Sequence, residues 1–153
     1  MIRNWIGGAA GVLAAAWVAG SAGQALAMDA MEKLTVVEHA TSDAVTDIGD
    51  KGDSAGDILT FANEIYDEAN QASLGTDNGW CIRTIVGKAW ECFWTVMLKD
   101  GQITVEGPFL DAGDSMLAVT GGTGAYAGVR GDMKLHARNA QGSEYDFVYD
   151  LIR

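Results

Sequence analysis

The 153-residue sequence predicts an all-β, eight-stranded antiparallel β-barrel. Three observations point there. Apolar and polar residues alternate with a period of two in several segments, most clearly through Trp90, Cys92, Trp94, Val96 and Leu98. Asp100-Gly101 joins that run to a second alternating run, the strongest local signal for a hairpin. The composition holds 20 Gly against one Pro, with 48% apolar residues, which suits short strands and tight turns around a proper core.

The elements follow in order. Residues 34–39 form a short apolar, β-branched run and are predicted as the first strand. Residues 40–57 are rich in Asp, Gly, Ser and Thr and are predicted as a long loop. The second strand is placed at 58–66, although residues 61–70 would also suit a helix on propensity. The third is placed at 73–83, interrupted by Asn78-Gly79, and the fourth at 89–99. The fifth spans 102–110 through Ile103, Val105 and Phe109, and the sixth 116–120. The run Gly121-Gly122-Thr123-Gly124 is predicted to force a loop, and strands at 129–137 and 145–152 complete a meander. Closing such a meander into a barrel removes its exposed edges, and eight strands leave room for one small ligand or for side chains.

The first residues read as a targeting segment. Arg3 precedes an apolar stretch over 6–22, and Ala25-Leu26-Ala27 offers small residues where a signal peptidase reads. Cleavage after Ala27 is expected, giving a signal peptide at 1–27, a flexible leader at 28–33 and the barrel at 34–153. An uncleaved anchor is the alternative, because the apolar stretch is near the lower length for a membrane span. The expected destination is periplasmic or extracellular, with no membrane association after cleavage.

The formal net charge is −11; residues 1–27 hold Arg3 and no acid, so the remainder carries −12. Phosphate backbones and anionic lipid surfaces repel such a chain, which argues against nucleic-acid partners. The two cysteines, Cys81 and Cys92, do not form a CxxC pair, and His39 and His136 stand alone, so no metal site is expected. A turn centred on Val86-Gly87 would set Cys81 opposite Cys92, at a spacing close to what a disulfide needs, in a compartment where thiols tend to pair.

Two further patterns have plain readings. Gly122, Gly124 and Gly128 are spaced one residue too widely for the dinucleotide fingerprint and precede a strand, so a tight turn is the better reading. Asp47, Asp50, Asp53 and Asp57 fall three or four apart rather than at the alternate positions of an EF-type loop, which favours a solvated loop over calcium. Glu38 is different. It shares strand parity with Leu34 and Val36, so it faces the core if they do, and a buried carboxylate often marks a site.

Ordered matches then run along nearly the whole chain. They are Val37-Glu38, Gly56-Asp57, Phe61-Ala62-Asn63-Glu64-Ile65-Tyr66, Gly79-Trp80-Cys81, the run from Ile103 to Leu110 with its Glu106-Gly107-Pro108, and the run from Leu117 to Gly128. Through these the chain resembles the allene oxide cyclase barrel, which belongs with the dirigent proteins. The resemblance implies an eight-stranded barrel, usually trimeric. It also implies an apolar cavity that folds an unsaturated fatty-acid epoxide for ring closure with no metal or organic cofactor. Glu38 and Asn63 fall on the family's catalytic positions, and Cys81 on a cysteine near the reacting carbons. One departure stands out: the second Asn of the family's first-strand motif is Ala40 here. The expected partners are an apolar small molecule and further copies of the chain. The expected activity is that of a cyclase or isomerase, with a non-catalytic, dirigent-like binding barrel as the alternative.

Overall fold

The computed structural model describes residues 30–153; the expected signal peptide, and the start of the leader, lie outside them. Nine strands form among the described residues: β1 (Met31–His39), β2 (Ala44–Thr46), β3 (Ile58–Asp67), β4 (Ser73–Ile85), β5 (Ala89–Leu98), β6 (Gly101–Leu110), β7 (Ser115–Gly124), β8 (Arg130–Ala137) and β9 (Glu144–Ile152). All neighbours are antiparallel, in the order β1-β9-β8-β7-β6-β5-β4-β3-β2. A further β1–β3 ladder closes eight of them into a barrel. No helix of the described residues is long and apolar enough to cross a membrane.

Alternation decides the interior. Val36, Ile65, Cys81, Cys92, Trp94, Val96, Ile103, Val105, Leu117, Met133, Phe147 and Tyr149 form one buried cluster drawn from every long strand. This is the inward parity expected from the period of two.

Four local readings change. Residues 31–33, expected in a flexible leader, extend β1, because Met31, Glu32 and Lys33 pair with Ile152, Leu151 and Asp150, and Lys33 Nζ reaches Asp150 at 2.6 Å. Within the predicted loop at 40–57, Ala44–Thr46 ladders with Ile58–Thr60 and adds β2. Asn78-Gly79 does not interrupt β4; a Cβ on Gly79 would collide with Trp94 and the Phe93 carbonyl, so the glycine lets β5 approach closely at this point. Gly121 to Gly124 continue β7 rather than looping, since Gly122 packs against the Gln102 and Tyr126 carbonyls. The turn follows, with positive φ at Gly124 (60°) and Gly128 (77°).

The closure seam is short, and it positions the site. β1 covers only Glu64–Asp67 of β3, and β2 covers only Ile58–Thr60. Between them Phe61, Ala62 and Asn63 have no strand partner on that side. Residues 41–43 cross the gap, and their polar groups must be satisfied by side chains.

Candidate functional site

Asn63 fills that gap. Its Oδ1 accepts the Thr41 and Ser42 backbone N–H groups, both at 3.0 Å. Ser42 Oγ brackets Ala62, taking its N–H and donating to its carbonyl, both at 2.8 Å. Asn63 Nδ2 donates to Glu38 Oε1 at 2.9 Å and to Asp43 Oδ1 at 3.0 Å. Every polar atom of the side chain is thus engaged within the protein, and the residue is 2% exposed.

Glu38 points inward on β1, as its parity with Val36 predicts, and is 5% exposed. Opposite it lies a group that the sequence reading missed. Asp77 on β4 is fully buried, and its Oδ1 accepts the Asn63 backbone N–H at 3.1 Å. Its Oδ2 finds no hydrogen-bond partner, and its carboxyl interacts with the neighbouring Glu38 carboxyl. Two carboxyl groups in such contact hold a proton between them. Burial is the main reason that Glu38 lies well above its usual range, with the Asp77 charge second. Burial also pushes Asp77 up to about 6. The Tyr149 hydroxyl, buried near both acids and without a partner, is likewise raised by burial.

The pair adjoins a chamber of about 40 Å³ lined by Glu38, Asp43, Phe61, Trp94, Tyr145 and Phe147, with Leu59, Phe109, Leu135 and the cystine completing the wall. Its rings are braced against one another. Trp94 meets Phe61 edge-on at 6.0 Å and Phe147 at 5.5 Å, and Phe109 meets Tyr145 edge-on at 5.9 Å. An outer space of about 210 Å³ at the mouth shares Phe109, Leu135 and Tyr145 with the chamber. Those three side chains line both spaces. The inner space is close to the volume of one or two waters, so only the reacting end of a ligand fits without a shift of Phe109 or Tyr145.

Cys81 and Cys92 pair across β4 and β5 in the expected register, Cα to Cα 4.0 Å, and are bonded as a disulfide. By chain entropy a loop of this length contributes about 3 kcal/mol. Cys81 does reach the chamber, as the resemblance implies, but as half of a cystine, so no thiol is available for chemistry.

The acidic loop is exposed to solvent, as expected, and is knitted by its own hydrogen bonds, with Asp57 buried beneath it. Asp57 accepts the Ile48 and Ser54 N–H groups at 2.8 Å, which hold its carboxyl below the usual range, and Asp47 accepts the Gly52 N–H at 2.9 Å. Asp53 accepts the Gly87 N–H and pairs with Arg83. No group of three or more His, Cys, Asp or Glu residues among those described is placed to hold a metal.

The family model described as Allene oxide cyclase matches residues 30–139. Several solved structures share the barrel. A protein titled pyocyanin demethylase superposes with a TM-score of 0.67 at 24% identity, over 76% of this chain and 98% of its own. A pterocarpan synthase dirigent protein gives 0.65 at 13% identity, over 81% and 87%. An exo-specific intermolecular Diels–Alderase gives 0.65 at 15% identity, over 81% and 99%. At these identities the likeness is one of fold.

Proposed function

The chain belongs to the allene oxide cyclase family, and from that premise we propose that it is a cyclase or isomerase, needing no metal or organic cofactor, for a small, apolar, oxygenated and unsaturated molecule. The observation that carries the reading is the Glu38–Asp77 pair, two neighbouring buried carboxyls beside an aromatic chamber, both pushed by burial toward holding their protons. Such a pair can give its proton to an epoxide or carbonyl oxygen and take one back from carbon, so the substrate is rearranged with no net change in atoms. Once ionised, Glu38 stabilises positive charge developing on carbon, more strongly for being out of water. Asn63 is a positioning residue in this scheme, because it holds Glu38 and Asp43 with atoms already engaged. The aromatic walls exclude water and restrict the ligand's shape. A fatty-acid epoxide, the substrate type that the family resemblance implies, is one molecule of this kind.

A non-catalytic barrel that binds or orients a lipophilic ligand is the rival, and the dirigent neighbour is a precedent by its title. A panel of unsaturated epoxides and enones, followed by chromatography for ring closure or isomerisation, separates the two. The wild type should accelerate at least one, and Glu38→Gln should lose on the order of 100-fold in kcat, the usual share of a general acid–base group. Turnover by Glu38→Gln at the wild-type rate would return the chamber to a binding role.

The disulfide is compatible with an exported chain. Trimeric association belongs to the same reading. Trp80 (44% exposed) and Ile82 (37%) stand on the outer face of β4, and Phe93 lies 6.4 Å from Trp80 on β5. Such an outward apolar patch suits a subunit interface. Light scattering of the purified barrel should report three copies; a monomer at high concentration removes this part.

A further inference from the structure

The walls of the chamber and its mouth carry Glu38, Asp43 and Asp111 and no Lys, Arg or His. Asp111 is matched, since Arg83 Nη1 holds both of its oxygens at 2.7 and 2.8 Å. Glu38 and Asp43 are not matched; their shared partner is the neutral amide of Asn63, and Asp77 behind them adds a third carboxyl. Around these acids stand Phe61, Trp94, Phe109, Tyr145 and Phe147. Aromatic faces and carboxylates both attract a cation, and the chain's net charge of −11 favours its approach. Trp94, 2% exposed, keeps a buried indole N–H with no acceptor in the protein.

We infer that this chamber selects its ligand by charge: it takes a flat, unsaturated molecule bearing a positive charge or a basic ring nitrogen and rejects molecules that place a carboxylate among its rings. The inference rests on the proposed site and revises its substrate class, a charged or basic ring taking the place of a wholly apolar one. A fatty-acid epoxide meets this condition only with its carboxylate left outside the mouth.

Binding of a permanent cation displaces the proton held by the pair, which goes to solvent and leaves Glu38 and Asp77 both ionised. The groups facing the pair are Asp43 from the segment before β2, Asn63 from β3, and Tyr145 and Tyr149 from β9. None of them supplies a compensating positive charge. Affinity for the cation should therefore rise with pH, approaching tenfold per unit while the pair still holds its proton.

Three matched probes test this at pH 8: N-methylquinolinium, 1-methylnaphthalene and naphthalene-1-carboxylate. Occupancy is read from the Trp94 indole N–H resonance, assigned by its loss in Trp94→Phe. The cation should bind about tenfold or more tighter than the neutral probe, and the carboxylate should bind weakest. Glu38→Gln should flatten the pH dependence. If the neutral or anionic probe shifts Trp94 at equal or lower concentration, charge selection is wrong while the chamber stands as a site. If no probe shifts it, the chamber is not a ligand site and the proposed function falls with the inference.

Discussion

Glu38→Gln should make the barrel more stable at pH 8 and leave it nearly unchanged at pH 4. The sign follows from proton counting. Unfolded, Asp77 and Glu38 release their protons near pH 4. Folded, both hold them to higher pH, Asp77 to about 6 and Glu38 well above its usual range. Between those limits the folded state binds more protons than the unfolded state, so stability falls as pH rises. The pair's contribution is complete below about pH 4 and is lost as pH climbs through the folded values. For Asp77 alone, a rise from 3.8 to about 6 corresponds to about 3 kcal/mol. Gln removes the charge and keeps the contact to Asn63, because its Oε1 still accepts from Asn63 Nδ2, and its amide brings a donor to the side of Asp77, whose Oδ2 has none. Other carboxyls are common to both proteins, and Asp57 and Asp114, held low by their hydrogen bonds, act at the acid end. Urea unfolding at pH 4, 6 and 8 measures the difference. A variant that loses stability at pH 8, or a wild type that gains stability from pH 4 to 8, would show that the two carboxyls do not share a proton. Stability and activity would thus move in opposite directions on one substitution, as expected where a site is held at the fold's cost.

The same parity argument that placed Glu38 inside would have found Asp77. Asp77, Cys81 and Arg83 share one face of β4, and Cys81 was already assigned to the cavity. What hid Asp77 was its neighbours. Asp-Asn-Gly has the composition of a turn and so predicts a break in the strand, whereas Gly79 serves a close approach of β5 at Phe93 and Trp94. The barrel itself was legible because alternation is local and survives in every long strand, and the cystine was legible because a hairpin register depends only on its turn. Closure is different. The β1–β3 seam and the gap that Asn63 fills join residues far apart in sequence, and no local pattern specifies them. Family resemblance pointed to Asn63, but its bonding to the crossing segment was visible only in three dimensions. Charge selection was hidden for a related reason, since it depends on which of 21 acidic residues lack a basic neighbour in the folded barrel.

Arg83→Ala should cost about 3 kcal/mol and loosen the mouth. Arg83 sits near the end of β4 with its side chain 10% exposed. Its Nε approaches Asp53 at 2.6 Å, a short but poorly aligned pair, and its Nη1 grips Asp111 through both oxygens. The guanidinium lies 4.1 Å from the centre of the Trp90 ring. The backbone adds two bonds at 2.9 Å, from Arg83 N to the Asp57 carbonyl and from Gly56 N to the Arg83 carbonyl. One residue thus ties the 47–57 segment and the β6–β7 turn to the inner strand. Cutting the side chain to Ala leaves two acids facing each other without their cation and removes the plane stacked on Trp90. The partners are partly exposed, and their resolvation keeps the loss at the lower end for a broken buried pair. Lysine cannot restore it, because a single ammonium lacks the fork that reaches both acids and the flat face that covers the indole. Urea unfolding reads the cost. Hydrogen exchange should show residues 47–57 and 111–114 opening together, while the Cys81–Cys92 region stays protected. A loss under about 1 kcal/mol, with exchange unchanged in both segments, would mean that the backbone bonds hold the mouth on their own and that the ion pairs add little.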